Sequence, residues 1–139
     1  MAVKTDTLQV STNGNADVID ITPNVNECVK KSKIKDGIVT VHVIGSTGAV
    51  TTCEHEPGLV RDIKEVFDKL IPPGRYNHDQ AWGDGNGYSH LRSSLVGPSL
   101  TVPFSKGELL LGTWQQIILI DFDNRGRQRK IIVQTVGDC

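Results

Sequence analysis

Residues 108–122, ELLLGTWQQIILIDF, are apolar on two sides at once. Laid out as one extended strand, Leu110, Trp114, Ile118 and Ile120 share a face, while Leu109, Leu111, Ile117 and Leu119 share the other. Side chains alternate across the pleat, so each set needs its own cover. An antiparallel strand apolar on both faces has to be buried twice. The two long helices predicted elsewhere cover one face, and the other calls for a second copy of the chain. Trp114, in register with Leu110 and Ile118, is expected to be packed.

Working outward, Asp123-Asn124-Arg125-Gly126 predicts a hairpin turn, with Arg127 to Val136 as the returning strand. Arg125, Arg127, Arg129 and Lys130 form a basic patch there that either attracts an anionic substrate or blunts an edge strand. Upstream, Ser99 to Phe104 reads as a strand closed by the turn Ser105-Lys106-Gly107. Leu59, Ile63, Val66, Phe67 and Leu70 recur at helical spacing after Glu56-Pro57, which predicts a helix to about Leu70. Ile38 to Ile44 and Ala49 to Glu54 read as strands. Thr22-Pro23 opens an earlier helix that buries Val25, Cys28 and Val29 and ends by Gly37. Val3 to Ser11 is the first strand, and the turn Asn13-Gly14-Asn15 lets Val18 to Ile21 pair back on it. The pattern is that of one α+β domain over residues 1–139, an antiparallel or mixed sheet packed against two main helices.

Composition narrows the function classes. Fifteen basic residues against sixteen acidic ones leave no global field for nucleic acid or an anionic membrane. The most apolar stretch, Leu109 to Ile120, falls far short of the roughly 20 residues of a spanning helix. The first residues alternate polar and apolar and carry no signal-peptide core. Three cysteines with no close pair point to a reducing compartment, so the expected location is cytoplasmic.

The polar stretch from Arg75 to Arg92 concentrates the chemistry. His78, read as a loop residue, and His90, near the start of a short helix, are types that ligate metals or exchange protons near neutral pH. With a carboxylate such as Glu54 or Asp84 they would form an open, water-bearing metal site; otherwise they are hydrogen-bonding loop histidines. Glycines in Gly83-Asp84-Gly85-Asn86-Gly87 let backbone approach a ligand. With Ser89 and Arg92 adding donors, Gly85, Asn86 and Gly87 suit a phosphate at a helix start. His55, between Glu54 and Glu56, is a further candidate, and Cys53 reads as a buried, inert thiol.

Three motifs resemble one family. Gly45-Ser46-Thr47-Gly48-Ala49-Val50-Thr51-Thr52 with Glu54 is similar to its Thr/Ala-rich strand segment. Tyr76-x-His78 with Asp84-Gly85-Asn86-Gly87-x-Ser89-His90-Leu91 resembles its histidine motif, and Gly107-x-Leu109-x-Leu111-Gly112-Thr113-Trp114-Gln115-x-Ile117 resembles its GxLxLGTWQxI signature. These are marks of the YjbQ family, small proteins also described as secondary thiamine-phosphate synthases. The resemblance implies an α+β fold with sheets packed about a threefold axis, hence a homotrimer with clefts between subunits. It implies an activity joining a pyrimidine pyrophosphate to a thiazole phosphate, with a divalent metal ion (zinc or magnesium) at His78 and His90. His78, His90, Glu54 and Asp84 would be catalytic, and Gly85, Asn86, Gly87, Ser89 and Arg92 would hold phosphate. This chain carries Gly45 where many members carry histidine, and Tyr88-Ser89-His90 where many carry His-x-His. The alternatives are a non-catalytic binding protein for a phosphorylated metabolite and a metal-dependent hydrolase.

Overall fold

A computed structural model describes the whole chain, Met1–Cys139. In chain order it contains β1 (Ala2–Ser11), β2 (Asp17–Asp20), α1 (Thr22–Ser32), β3 (Asp36–Val43), β4 (Gly48–Cys53), α2 (Pro57–Leu70), α3 (Asn77–Trp82), α4 (Gly87–Val96), β5 (Ser99–Ser105), β6 (Glu108–Leu109), β7 (Gln116–Asp121) and β8 (Gln128–Asp138). The strands form two antiparallel sheets, one in the order β1-β8-β3-β5-β6 and one in the order β2-β7-β4. The fold is α+β.

The predicted strand over residues 108–122 is interrupted. Residues 110–115 form a loop held by its own polar groups. Leu110 N–H donates to the Pro103 carbonyl (3.0 Å) and Gln115 N–H to that of Gly112 (3.0 Å). The Gln115 side chain accepts from Gly112 N–H (3.0 Å) and donates to Thr52 Oγ1 (3.2 Å). Leu110 and Trp114 are left outside, Trp114 being 71% exposed, so the expectation of a packed tryptophan is overturned.

β7 itself is buried on both faces within one copy of the chain. Ile117 and Leu119 join Val39, Val41, Ile131 and Val133 in a core between the two sheets, into which α1 lowers Val25, Cys28 and Val29. Ile118 and Ile120 join Ala49 and Phe122 in a second core, closed by Val60, Ile63 and Phe67 of α2 and Val96 of α4. The larger sheet does the covering that was expected of another subunit.

Both predicted hairpins are also overturned. β1 pairs with β8, from Ala2↔Gly137 to Ser11↔Gln128, while β2 pairs with β7. The turns after β1 and before β8 are corners that send the chain from one sheet to the other. They cross at van der Waals distance: a Cβ on Gly14 would lie 2.4 Å from the Arg125 carbonyl oxygen, and one on Gly126 would lie 2.7 Å from that of Thr12. Only glycine fits such an approach.

Helix ends follow local chemistry. Glu56 caps α2, its carboxylate accepting from Gly58 N–H (2.7 Å) and Leu59 N–H (2.8 Å), which holds its pKa below the ordinary value. At α1 the cap position is Ile21, and Thr22 instead offers Oγ1 to Ile117 N–H (2.8 Å). Lys33 in the left-handed conformation ends α1, and Gly37 belongs to β3.

Candidate functional site

A cavity of about 380 Å3 opens where the Asp121 end of β7 and the start of β8 meet α3 and α4. Its floor is a buried charge network. Asp121, in the most apolar strand of the chain, takes a two-pronged contact from Arg129: Nε to Oδ2 at 2.9 Å and Nη2 to Oδ1 at 2.8 Å. Such forks are the strong form of the ion pair. Thr12 Oγ1 also donates to Asp121, and Arg129 Nη2 reaches Thr47 Oγ1 at 2.6 Å.

Thr47 passes the link on, donating to Asp123 Oδ2 at 3.0 Å. Arg127 donates to the same oxygen through Nε (2.9 Å), with Nη2 in ion-pair contact at 2.8 Å. Burial alone would raise the Asp123 pKa. Hydrogen bonds from Asn124 N–H, Asn86, Thr47 and Arg127 outweigh it and hold the carboxyl below its ordinary value. The Asn86 amide lies between two carboxylates and can donate to either, at 3.3 Å to Asp123 Oδ1 or at 3.1 Å to Asp84 Oδ1.

Neither arginine is used up. Nη1 of Arg129 and Nη1 of Arg127 make no hydrogen bond within the chain, and both residues line the cavity. Gly45 leaves Arg129 room: a Cβ there would lie 2.7 Å from Nη1, and its φ of +130° suits glycine alone.

The opposite group comes from the helices. His78 is in the first turn of α3, not in a loop as its polar surroundings suggested. The short helix is set by Asp79, whose Oδ2 accepts from Tyr76 N–H (3.1 Å) at its start, and by Gly83, left-handed at its end. Asp79 Oδ1 accepts from Gly87 N–H (2.9 Å), tying α3 to the start of α4. The Tyr76 hydrogen bond leads the effects holding the Asp79 carboxyl below its ordinary pKa. The rings of His78 and His90 stand 4.5 Å apart, centroid to centroid. His78 Nδ1 is 3.3 Å from Asp79 Oδ1 and 3.9 Å from Asp84 Oδ1. A proton on Nδ1 facing Asp79 leaves the Nε2 lone pair free for an ion.

The structure brings together His78, His90, Asp84 and Asn86 from the residues read in the sequence. Others lie elsewhere. Glu54 follows the far end of β4, about 23 Å along the chain from the Thr47 corner at the rise of an extended strand. Arg92 is 1% exposed and does not line the cavity: it donates to the Ile71 carbonyl (2.8 and 3.0 Å) and Asp68 (3.1 Å), with its guanidinium over the Tyr88 ring (4.9 Å). It braces α4 on α2, away from the cavity. Ser89 is buried, Gly87 N–H is taken by Asp79, and Gly85 does not line the cavity. His55 bonds the Val18 carbonyl outside the site (3.1 Å), and burial raises the Cys53 thiol pKa, which keeps it inert.

Asp121, Asp123, Thr47 and Trp82 were missed in the sequence. For Asp121 a signal existed, since a carboxylate inside an apolar strand requires a buried partner. Arg127 and Arg129 were read together with Arg125 and Lys130, as a basic patch that either attracts an anionic substrate or blunts an edge strand. The period of two separates them, turned inward, from Lys130, turned outward.

A sequence model described as UPF0047 protein, YjbQ-like, matches residues 6–138. The chain belongs to the UPF0047 (YjbQ-like) family. It is 40% identical over 130 residues to a UPF0047 protein of Archaeoglobus fulgidus, covering 93% of this chain and 98% of that protein. It is 32% identical to the UPF0047 protein YugU of Bacillus subtilis, over 94% and 98% of the two chains. A crystal structure of a protein of unknown function from Sulfolobus solfataricus superposes with a TM-score of 0.92 at 35% identity, covering 99% of each chain. A hypothetical protein from Aeropyrum pernix gives 0.90 at 32%, covering 97% of this chain and 99% of its own.

These matches correct the functional expectation. UPF0047 is an uncharacterised family, the two solved structures named above are described as of unknown function and as hypothetical, and none of these relatives is described as a thiamine-phosphate synthase. The transferase and thiamine-biosynthesis readings fall with it. No helix is long and apolar enough to cross a membrane.

Proposed function

We propose that this pocket binds a small, phosphate-bearing anion together with a divalent metal ion held by His78 and Asp84. The observation that carries the reading is the unengaged Nη1 of the buried Arg129, anchored by Asp121 and Thr47 and opened to the cavity by Gly45. A guanidinium fixed in that way recognises a phosphate or carboxylate without further loss of freedom.

Electrostatics calls for the metal. Two guanidiniums, on Arg127 and Arg129, share the region with four carboxylates, on Asp79, Asp84, Asp121 and Asp123. An anion alone meets an unfavourable balance there, and a divalent cation reverses it. Ligand atoms of His78, Asp79 and Asp84 lie within 4.8 Å of one another, against ~4.2 Å for two ligands on opposite sides of one ion. Small rotations bring them to coordinating distance. Asp79, with both oxygens engaged by backbone N–H groups, orients His78, and a mixed imidazole–carboxylate set suits zinc or manganese.

Calorimetric titration with manganese and with ribose 5-phosphate tests this. Manganese should tighten the sugar phosphate, Asp84→Asn should weaken the metal about tenfold or more, and Arg127→Ala should weaken the sugar phosphate. Sugar-phosphate binding indifferent to both metal and Arg127 would overturn it.

Self-association as a homotrimer is proposed on a different ground from the strand that first suggested it. The outer face of the larger sheet bears no helix. It presents Val3, Thr5, Thr40, His42, Thr101, Ile132 and Gln134, with Lys130 toward one end and Asp36 and Asp138 at the other. Light scattering reads the mass directly, and Thr40→Arg together with Thr101→Arg should yield monomers. Unpaired Cys28, Cys53 and Cys139 suit the proposed cytoplasmic location.

A further inference from the structure

We infer that the ligand of this pocket carries a flat, π-rich ring beside its anionic group, stacked on Trp82, as a nucleoside monophosphate does. The inference rests on the anion-binding reading and adds the class of molecule that bears the anion.

Trp82 ends α3 and is 76% exposed, yet it is the one apolar side chain lining a cavity otherwise built of polar groups. Neither core takes it in. Its indole lies four residues after His78, so the two rings emerge on the same side of the helix. The His90 ring stands beside His78 at 4.5 Å with an interplanar angle of 43°. The helical wall of the pocket thus supplies rings, while the strand-end wall supplies Arg127, Arg129 and Ser46. A volume of about 380 Å3 falls within the range of roughly 300–1,000 Å3 for sites of small organic molecules. It is far more room than a bare phosphate fills. An indole face of this kind is sequence-tolerant toward any nucleobase.

The chain has two tryptophans. The Trp114→Phe variant, altered outside the pocket, leaves Trp82 as the single reporter. With manganese present, that protein is titrated with AMP and with ribose 5-phosphate, which has the same phosphate ester and sugar but no ring. AMP should bind about tenfold tighter than ribose 5-phosphate, in line with the stacking of one base. AMP should also quench the Trp82 emission, which ribose 5-phosphate should not. Trp82→Ala in the native background should bring the ratio of the two affinities toward unity, and Trp82→Phe should keep most of it. Circular dichroism checks that each variant is folded, as expected for a side chain so exposed. Equal affinity for the two ligands in the protein with Trp82 intact would overturn the ring and leave the anion reading standing. Binding of neither ligand would overturn both.

Discussion

The two ends of β7 treat polarity in opposite ways. At its Asp121 end, charge is inside: Asp121, Asp123 and Arg129 are buried and tied to one another. At its Gln116 end, apolar surface is outside: Leu110 and Trp114 stand in solvent on a loop pinned by Gln115. Burying an ion pair has a large desolvation cost and is weak evidence of selection for stability. Exposing a tryptophan forgoes burial that would stabilise the fold. Both are departures from what folding alone favours, and the first surrounds a cavity. The comparison separates the end of the strand beside the proposed ligand pocket from the end that offers an external surface.

The largest expected effect tests the buried end. Arg129→Ala leaves Asp121 charged, buried and unpaired, and should cost about 3–5 kcal/mol in denaturant unfolding. A loss below about 1 kcal/mol would mean that the pair behaves as a surface one and that the two ends are not so different.

A smaller effect is expected in acid. The Asp123 carboxyl is held below its ordinary value in the folded chain. Its contribution is therefore complete above the unfolded pKa of about 3.9 and is lost as pH falls through the lower folded value. The melting temperature of wild type should drop through that window with a steeper slope than that of Asp123→Asn. Parallel slopes would break the claim that this end is organised by ionised carboxylates.

The smallest effect belongs to the exposed end. Trp114→Ala should change the stability of the isolated chain by about 0.5 kcal/mol or less. A loss of several kcal/mol at a concentration where the protein is monomeric would show that the indole is packed after all.

The elements were more legible than their partners. Helical spacing placed α2 almost to the residue, because Ile63 and Phe67 face one core and Glu56 supplies the cap. The hairpins were misread because a Gly-containing turn looks the same whether the chain returns to its own sheet or crosses to another. At Gly14 and Gly126 the deciding contact is with a backbone more than a hundred residues away. The site was half legible. His78, His90, Asp84 and Asn86 share one polar stretch and could be read together. Arg127, Arg129, Asp121 and Asp123 reach them only through the tertiary fold. Arg92 misled for the opposite reason: its composition suits phosphate, but Asp68 and the Ile71 carbonyl claim it first.

β8 lies between β1 and β3 in the larger sheet, and it leaves the ribosome after every other strand. Until then β1 has no neighbour in the sheet, β3 has an open edge, and Arg129 has not yet reached Asp121. Until β8 is in place, the strand edges of β1 and β3 are therefore open to pairing with other chains. The pairing of β1 with β8 spans almost the full sequence, so closure of the sheet is slow by topology. Assembly of the pocket and completion of the fold are then a single late event.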